Sequence, residues 1–199
     1  MRIKPILFST PMVRAILDGR KTQTRRIAKN IPPETHRIEQ INEYEFEAYW
    51  GGYMPDIEAF VDGSTTIKPR YQVGDILWVR ETWRVCPSGI YCYKAIGDCD
   101  TCSSTGENTF NIKWRPSIFM PREAARIFLR VTNVRVERVQ EITEKDAKAE
   151  GVITNDAVKV SSYVYWFEML WDDLNKKRGY GWNTNLWVWV YEFERVEKP

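Results

Sequence analysis

Histidine is almost missing from this sequence. His36 is the only one among 199 residues, and it follows shortly after a pair of prolines in a polar stretch. This removes most histidine-based catalytic triads and histidine-rich metal sites from consideration, and shifts acid–base chemistry to Lys, Glu, Asp and Tyr side chains. We expect His36 itself to be an exposed loop residue.

A long apolar run is missing as well. Pro5 and Pro11 bracket a strand-like apolar segment at residues 6–8, which is too short for a signal peptide, and no segment approaches the length that spans a bilayer. The sequence therefore predicts a cytoplasmic protein with no membrane partner. Its length predicts a single domain covering residues 1–199.

A large excess of one charge is also lacking. The formal net charge is +2, which is too small for a bulk nucleic-acid binder, so such a role would need a local patch. Residues 14–29 contain one, because only Asp18 opposes its cations, which are Arg14, Arg20, Lys21, Arg25, Arg26 and Lys29. This cluster suits a site for an anion, a nucleic-acid backbone or a polarised carbonyl. The alternative is a solvated basic turn at the end of a helix.

The hydrophobic patterns predict strands and helices in mixed order. The predicted elements are a strand at 2–8, a helix at 11–17, a buried strand at 76–79 paired with a strand at 91–95, a strand at 126–139 with a bulge near 132–133, a helix between 143 and 151, a helix at 162–177 and a strand at 186–196. Residues 31–70, with at most a hairpin, and residues 96–112 are predicted as insertions. This order favours an α+β fold, and the predicted architecture is a small barrel with peripheral helices.

The four cysteines lie close together, at Cys86, Cys92, Cys99 and Cys102. The last two have the two-residue spacing of a zinc knuckle, and the first two could complete a structural zinc site. The spacing of the first pair is poor for zinc, so unrelated thiols or a redox function remain alternatives. We expect no disulfide in a cytoplasmic chain.

Aromatic residues make up 14% of the sequence, and some lie beside cations. Trp83 follows Arg80 closely, and Trp114 precedes Arg115 directly. Such pairs can stack on a base and hold a phosphate, so we predict that Trp83 and Arg115 contact RNA. The alternative is that the tryptophans pack in the core under the aliphatic parts of the arginines.

Three segments together resemble the ASCH domains of the PUA-like superfamily. They are residues 15–26 (AILDGRKTQTRR), 73–79 (VGDILWV) and 142–151 (ITEKDAKAEG). Residues 113–122 (KWRPSIFMPR) and 177–182 (KRGYGW) are similar to the longer ASCH proteins often carried by prophages. The resemblance implies a PUA-like mixed β-barrel with peripheral helices, a cleft covered by the first helix and the turn after it, and RNA or a modified nucleoside as partner.

Some small bacterial ASCH proteins are amidohydrolases that deacetylate N4-acetylcytidine, and the resemblance carries their catalytic residues over to Lys21, Thr24 and Glu150. It implies hydrolysis of an N4-acylated cytidine or a related nucleoside, without a required cofactor, with Arg20, Arg25 and Arg26 binding substrate or RNA. A non-catalytic RNA-binding module and a ribonuclease are the alternatives.

The residue types are compatible with that chemistry. Neighbouring arginines and burial would lower the pKa of Lys21, and a neutral lysine could take a proton from Thr24 or from a water that Thr24 holds. Lys21 and Thr24 share one side only if the segment turns helically. Glu150, at a predicted helix end, is expected to hold a proton for the leaving amine.

Overall fold

The computed structural model describes residues 1–32, 34–86, 89–97, 113–154 and 162–199. Its strands are β1 (Ile3–Leu7), β2 (Gln23–Ile27), β3 (Thr35–Gln40), β4 (Phe46–Met54), β5 (Ala59–Ile67), β6 (Ile76–Arg80), β7 (Trp83–Val85), β8 (Tyr91–Tyr93), β9 (Phe128–Arg138) and β10 (Trp187–Val196). Its α-helices are α1 (Thr10–Leu17), α2 (Glu144–Ala149) and α3 (Tyr163–Asn175). Single-turn 3₁₀ helices lie at Pro55–Ile57, Ser117–Phe119, Arg122–Ala124, Val139–Glu141, Lys176–Arg178 and Trp182–Thr184. None of the helices within these ranges is long and apolar enough to cross a membrane.

A five-stranded mixed sheet organises the fold, with the strand order β1-β6-β9-β10-β2. The β1–β6 pair is parallel, and the other pairs of this sheet are antiparallel. The predicted α+β class is confirmed. In the described ranges no ladder joins the two edge strands β1 and β2, but a side-chain hydrogen bond of 2.7 Å from Arg26 Nη2 to the Leu7 carbonyl connects them.

The longest ladder, between β9 and β10, contains the predicted irregularity. Its register shifts where Glu192 faces Asn133 and the next residue, Phe193, faces Val131, so Thr132 is the extra residue. The predicted bulge near residues 132–133 is therefore confirmed. It lets the long strand bend, so that both faces of the sheet stay covered.

The last strand separates two hydrophobic clusters. Trp189, Tyr191 and Phe193 lie in the main core together with residues of β1, α1, β4 and β6. Val188 and Val190 alternate with them and pack on the opposite face, in the cluster that α2 and α3 cover. This alternation is what a central strand buried on both faces requires.

The insertion at residues 31–70 is more ordered than the sequence predicted. Instead of at most a hairpin, it forms a three-stranded antiparallel sheet in the order β3-β4-β5. Phe46 and Ala48 of this sheet belong to the main core, and the Phe46 ring lies edge-on against Trp189 at 4.9 Å between centroids. The glycines of the segment concealed the strands, although Gly63 has a packing role, since a Cβ there would lie 2.3 Å from the Trp50 ring.

The prediction that residues 91–95 pair with the strand at 76–79 is wrong. The segment forms β8 and pairs with β7 instead. Cys92, which lies in β8 opposite Arg84, is joined by a disulfide to Cys86, the residue after β7, and the sequence analysis did not expect this bond. His36 is exposed as predicted, but it lies in strand β3 and not in a loop.

Candidate active site

The segment after α1 is held against the end of α2 by backbone hydrogen bonds. Both Arg20 and Lys21 donate their N–H groups to the Ala15 carbonyl, at 2.9 and 3.0 Å. Lys21 forms a β-bridge with Glu150, and Thr22 N–H donates to the Ala149 carbonyl at 2.8 Å. The two segments that carry the ASCH resemblance therefore lie side by side, although about 130 residues of chain separate them.

Lys21 and Glu150 form a buried ion pair. Lys21 Nζ lies 2.7 Å from Glu150 Oε2, and it also donates to the Glu150 backbone carbonyl at 2.9 Å. The Lys21 side chain has no exposed surface, and that of Glu150 is 4% exposed. Burial lowers the pKa of Lys21 below its usual value, while the charge and hydrogen bond of Glu150 oppose this effect.

Arg25 holds the second oxygen of the same carboxylate. Its Nη1 lies 3.1 Å from Glu150 Oε1, and its Nη2 lies 2.5 Å from Glu137 and 3.6 Å from Asp146. The Glu150 carboxylate is thus fixed between a lysine and an arginine. Because the Arg25 side chain is itself fully buried, this arrangement orients Glu150 strongly.

The charge network continues to the surface through Arg135. Its guanidinium contacts Glu137 at 3.1 Å, Asp146 at 3.0 Å and Glu192 at hydrogen-bond distance. Burial alone would raise the pKa of Asp146, but the Thr143 hydroxyl and the neighbouring arginines outweigh it and lower that pKa.

Thr24 does not reach Lys21 in the way that the sequence analysis required. The chain does not turn helically between them, because Thr24 lies in strand β2, whereas Lys21 lies in the isolated bridge that precedes it. Among the described residues, no hydrogen bond joins the Thr24 hydroxyl to Lys21 or Glu150. Thr24 is nevertheless buried and lines the same cleft as Glu150.

This cleft has a volume of about 690 Å³ and lies between β2, the end of β1 and α3. Its charged lining includes Arg25, Arg26, Lys29, Arg70, Glu150 and Arg178. One apolar wall comes from α3, where Phe167 and Trp171 are buried, whereas Leu170 is half-buried and Leu174 exposed. The apolar side of α3 is therefore partly cleft surface. We call this the main cleft.

The three predicted substrate-binding arginines occupy different environments. Arg20 is exposed, pairs with Asp18 at 2.8 Å and donates to the Gly151 carbonyl. Arg25 is buried in the carboxylate network, and Arg26 lies over the Phe8 ring at 5.2 Å. Burial lowers the pKa of Arg26. Arg25 and Arg26 both line the main cleft, and Arg20 does not.

Trp83 and Arg115 contact each other, with the guanidinium 5.1 Å from the ring centroid. Trp83 is only 4% exposed and packs in a hydrophobic cluster with Trp78 and Met120. In this structure it has the core-packing role that was the alternative to base stacking. Arg115 is exposed, directly before the segment 116–118 that forms one wall of the main cleft.

The cysteines are only partly described. Cys86 and Cys92 are bonded to each other, and Cys99 and Cys102 lie outside the described residues. A zinc site of four cysteines would require the Cys86–Cys92 bond to be reduced first, because zinc binds thiolates. In the part of the chain that the structure describes, no cluster of three or more His, Cys, Asp or Glu residues is arranged to hold a metal.

Sequence reasoning missed the residues that surround the predicted ones. Glu137 and Asp146, which fix Arg25, come from β9 and α2, and Arg70, Leu170 and Arg178 line the cleft from distant segments. Arg178 falls in the segment 177–182 that carried part of the resemblance. Glu137 and Arg70 have no local signal, since their roles depend on the pairing of distant elements.

Comparison with known proteins gives similarity to solved structures only. No protein-family model matches the sequence, and no curated protein does. A structure from Enterococcus faecalis V583, described by the DUF984 family, has 11% identity and a TM-score of 0.43, and covers 99% of this chain and 77% of its own. An ASCH domain from Lactobacillus crispatus JV V101 has 12% identity and a TM-score of 0.44, and covers 99% and 81%. At these values the similarities say nothing about what the chain binds.

Proposed function

We propose that this protein is an amidohydrolase that removes an acyl group from the N4 nitrogen of cytidine or of a related modified nucleoside. The observation that carries the proposal is the ion pair of Lys21 and Glu150, buried at 2.7 Å, with Glu150 and Thr24 lining one cleft. The ASCH resemblance of the segments that contain these residues supports the choice of substrate.

Burial of Lys21 favours the neutral amine, which a general base needs. In the reaction, a water held by Thr24 attacks the acyl carbon, and its proton passes to the neutral lysine. The proton moves along the Lys21–Glu150 hydrogen bond and is delivered to N4 as the C–N bond breaks. The products are the carboxylic acid and cytidine.

The tetrahedral oxyanion formed in that step requires a donor that is not already neutralised. Arg26 lines the main cleft, and among the described residues it forms no ion pair with a carboxylate. Arg25 is engaged by Glu137 and Glu150 and so serves to orient the catalytic carboxylate. Removal of a single oxyanion donor typically lowers kcat by about 10²-fold or more.

The test is incubation with N4-acetylcytidine, with detection of cytidine and acetate. Thr24→Val keeps the shape but lacks the hydroxyl, and we expect about 10²-fold slower turnover. Thr66→Val is the matched control, because Thr66 is exposed on β5, its hydroxyl contacts Glu47, and it does not line the main cleft. Parent-like hydrolysis by Thr24→Val would contradict the mechanism.

A non-catalytic RNA-binding module is the second candidate. It is favoured by the complete burial of Lys21, which leaves the amine no direct exposure to a ligand. If the parent protein does not hydrolyse N4-acetylcytidine but binds RNA with the salt dependence of phosphate contacts, this candidate replaces the first. Strand breaks in a mixed RNA pool would instead indicate the ribonuclease.

A further inference from the structure

A second cavity opens beside the main cleft, between the two edges of the five-stranded sheet. It has a volume of about 600 Å³ and shares Arg26, Lys29 and Arg70 with the main cleft. Its remaining walls come from β1, from residues 68–71 after β5, from the last residue of β6 and from β10. We call it the edge pocket. Because the two cavities share these residues, one ligand can extend from one into the other.

The edge pocket is lined by cations without carboxylates. Its charged residues are Arg26, Lys29, Lys68, Arg70 and Arg80. Lys68 pairs with Glu45 at 2.6 Å, whereas the other four form no ion pair with any residue that the structure describes. Arg25, one residue before Arg26, differs in this respect, because three carboxylates lie close to its guanidinium.

Two of these arginines are held in place but not neutralised. Arg26 donates to the Leu7 carbonyl at 2.7 Å. Arg80 lies over the Trp78 ring at 4.6 Å, and its Nε is buried with no hydrogen-bond partner among the described residues. Buried donors and cations without partners are costly, so the pocket gains when an anion enters.

The chemistry of the lining favours a phosphate. Arginine guanidinium groups match the oxygens of a phosphate with paired hydrogen bonds, and several cations around one cavity suit a group with more than one negative charge. The adjoining main cleft is where the proposed function puts a nucleoside. In a nucleotide the phosphate is attached to the ribose, at the end away from the base.

We propose that the edge pocket binds the phosphate of a nucleotide or RNA strand whose acylated cytidine occupies the main cleft. This inference rests on the proposed function for the identity of the base, and it makes the substrate a phosphorylated one. Arg26 and Arg70, which line both cavities, contact the ligand where base and phosphate regions meet, and Arg80 contacts the phosphate alone.

The test compares ligands with and without phosphate. Binding of cytidine, cytidine 5′-monophosphate and a short cytidine-containing RNA is measured by calorimetry at fixed salt, together with hydrolysis of the N4-acetylated forms. We expect the monophosphate to bind about tenfold or more tightly than cytidine, given the usual strength of hydrogen bonds to charged groups. Still tighter binding of the RNA would identify a strand as the ligand, and equal binding would identify a nucleotide.

Variants assign the effect to the pocket. Arg70→Gln is the first choice because Arg70 is exposed, and we expect it to reduce the preference for the monophosphate over cytidine about tenfold. Arg80→Gln is the second variant, and it tests the residue that lines only the edge pocket. Arg130→Gln is the matched control, since Arg130 is an exposed arginine paired with Glu194 that lines neither cavity.

Failure of this inference can be separated from failure of the proposed function. Equal affinities for cytidine and its monophosphate, or the same loss of preference in Arg130→Gln, would overturn the phosphate site even if N4-acetylcytidine is hydrolysed. A phosphate preference that Arg70→Gln removes, without any hydrolysis by the parent, would support the site and reject the enzyme.

Discussion

Replacing Glu150 by Gln tests whether Lys21 is part of a buried ion pair. The change keeps the size of the side chain and removes its charge. Arg25 would keep Glu137 and Asp146 as partners, at 2.5 and 3.6 Å. Lys21 would keep only neutral acceptors, because Glu150 is its only ion-pair partner in the described ranges.

The expected magnitude follows from this difference. Leaving one partner of a buried pair without its counter-charge typically costs about 3–5 kcal/mol, and Lys21 has no exposed surface through which water could compensate. We therefore expect Glu150→Gln to lower the free energy of unfolding by about 3 kcal/mol at pH 7. Lys21→Met should cost less, because the remaining carboxylate still has Arg25 at 3.1 Å.

The loss of stability caused by Glu150→Gln should depend on pH in a defined direction. In the folded state the pKa of Lys21 lies below its usual value of 10.5, so between the two values the unfolded state binds more protons and stability rises with pH. Glu150 raises the pKa of Lys21. In the Glu150→Gln variant, the pH range over which stability rises therefore begins at lower pH. The penalty of Glu150→Gln should therefore shrink between pH 7 and pH 10.

Urea denaturation at several pH values measures both effects. Glu194→Gln is the control, since its pair with Arg130 is exposed at 3.5 Å and such pairs contribute at most about 1 kcal/mol. If Glu150→Gln costs no more than this control, or if its cost does not change with pH, then Lys21 is not a buried cation in the parent protein.

Three further predictions concern stability. Burial alone would raise the pKa of Asp75, but hydrogen bonds with three donors lower it. The stability that the Asp75 carboxylate contributes should therefore be lost as pH falls below about 3.8. Asp75→Asn should lower the free energy of unfolding, measured by urea denaturation at pH 7, by about 2 kcal/mol. Gly151→Ala should destabilise more than Gly74→Ala in thermal melts, since both have positive φ but only at Gly151 would the new Cβ meet a side-chain carbon, at 2.8 Å. Arg126→Lys should lower the melting temperature, because lysine cannot replace the two hydrogen bonds of 2.9 and 3.0 Å to the buried Glu81; an unchanged midpoint would contradict this.

The parts of the fold that the sequence predicted are those with strong local patterns. The long alternation of residues 126–139 predicted β9 and its bulge, and the helix predicted between 143 and 151 is α2, which begins where the Thr143 hydroxyl accepts from the Asp146 N–H. Each of these features depends on residues within a few positions of one another. Hydrophobic periodicity and the residues that cap helices are sufficient to predict such features.

The errors arose where pairing between distant segments decides the structure. β8 pairs with β7 although its own pattern allowed either partner, and the sheet of β3, β4 and β5 forms although glycines interrupt its strands. Packing on the main core stabilises these strands, and a local pattern does not contain that information.

The candidate site was predicted in its residues and not in its geometry. The resemblance selected Lys21 and Glu150, which the structure brings to 2.7 Å, but the expected helical turn toward Thr24 does not form. The role of Arg25 was also missed, because it depends on carboxylates from β9 and α2. The register that places Arg25 opposite Val190 of β10 brings it near them.

The stability and the proposed chemistry depend on the same proton. If Lys21 is the base, only its neutral form accepts a proton, so hydrolysis should rise with pH through the lowered pKa of Lys21 and then level off. Glu150 raises that pKa, so Glu150→Gln should move the rise to lower pH while reducing the maximum rate, because the group that returns the proton is gone. If Glu150 only pairs with Lys21 and transfers no proton, the profile would move in the same way, but the maximum rate of the folded protein would not fall. The pH dependence of kcat/KM for the parent and for Glu150→Gln, measured where both remain folded, therefore distinguishes a proton-transfer pair from a structural one.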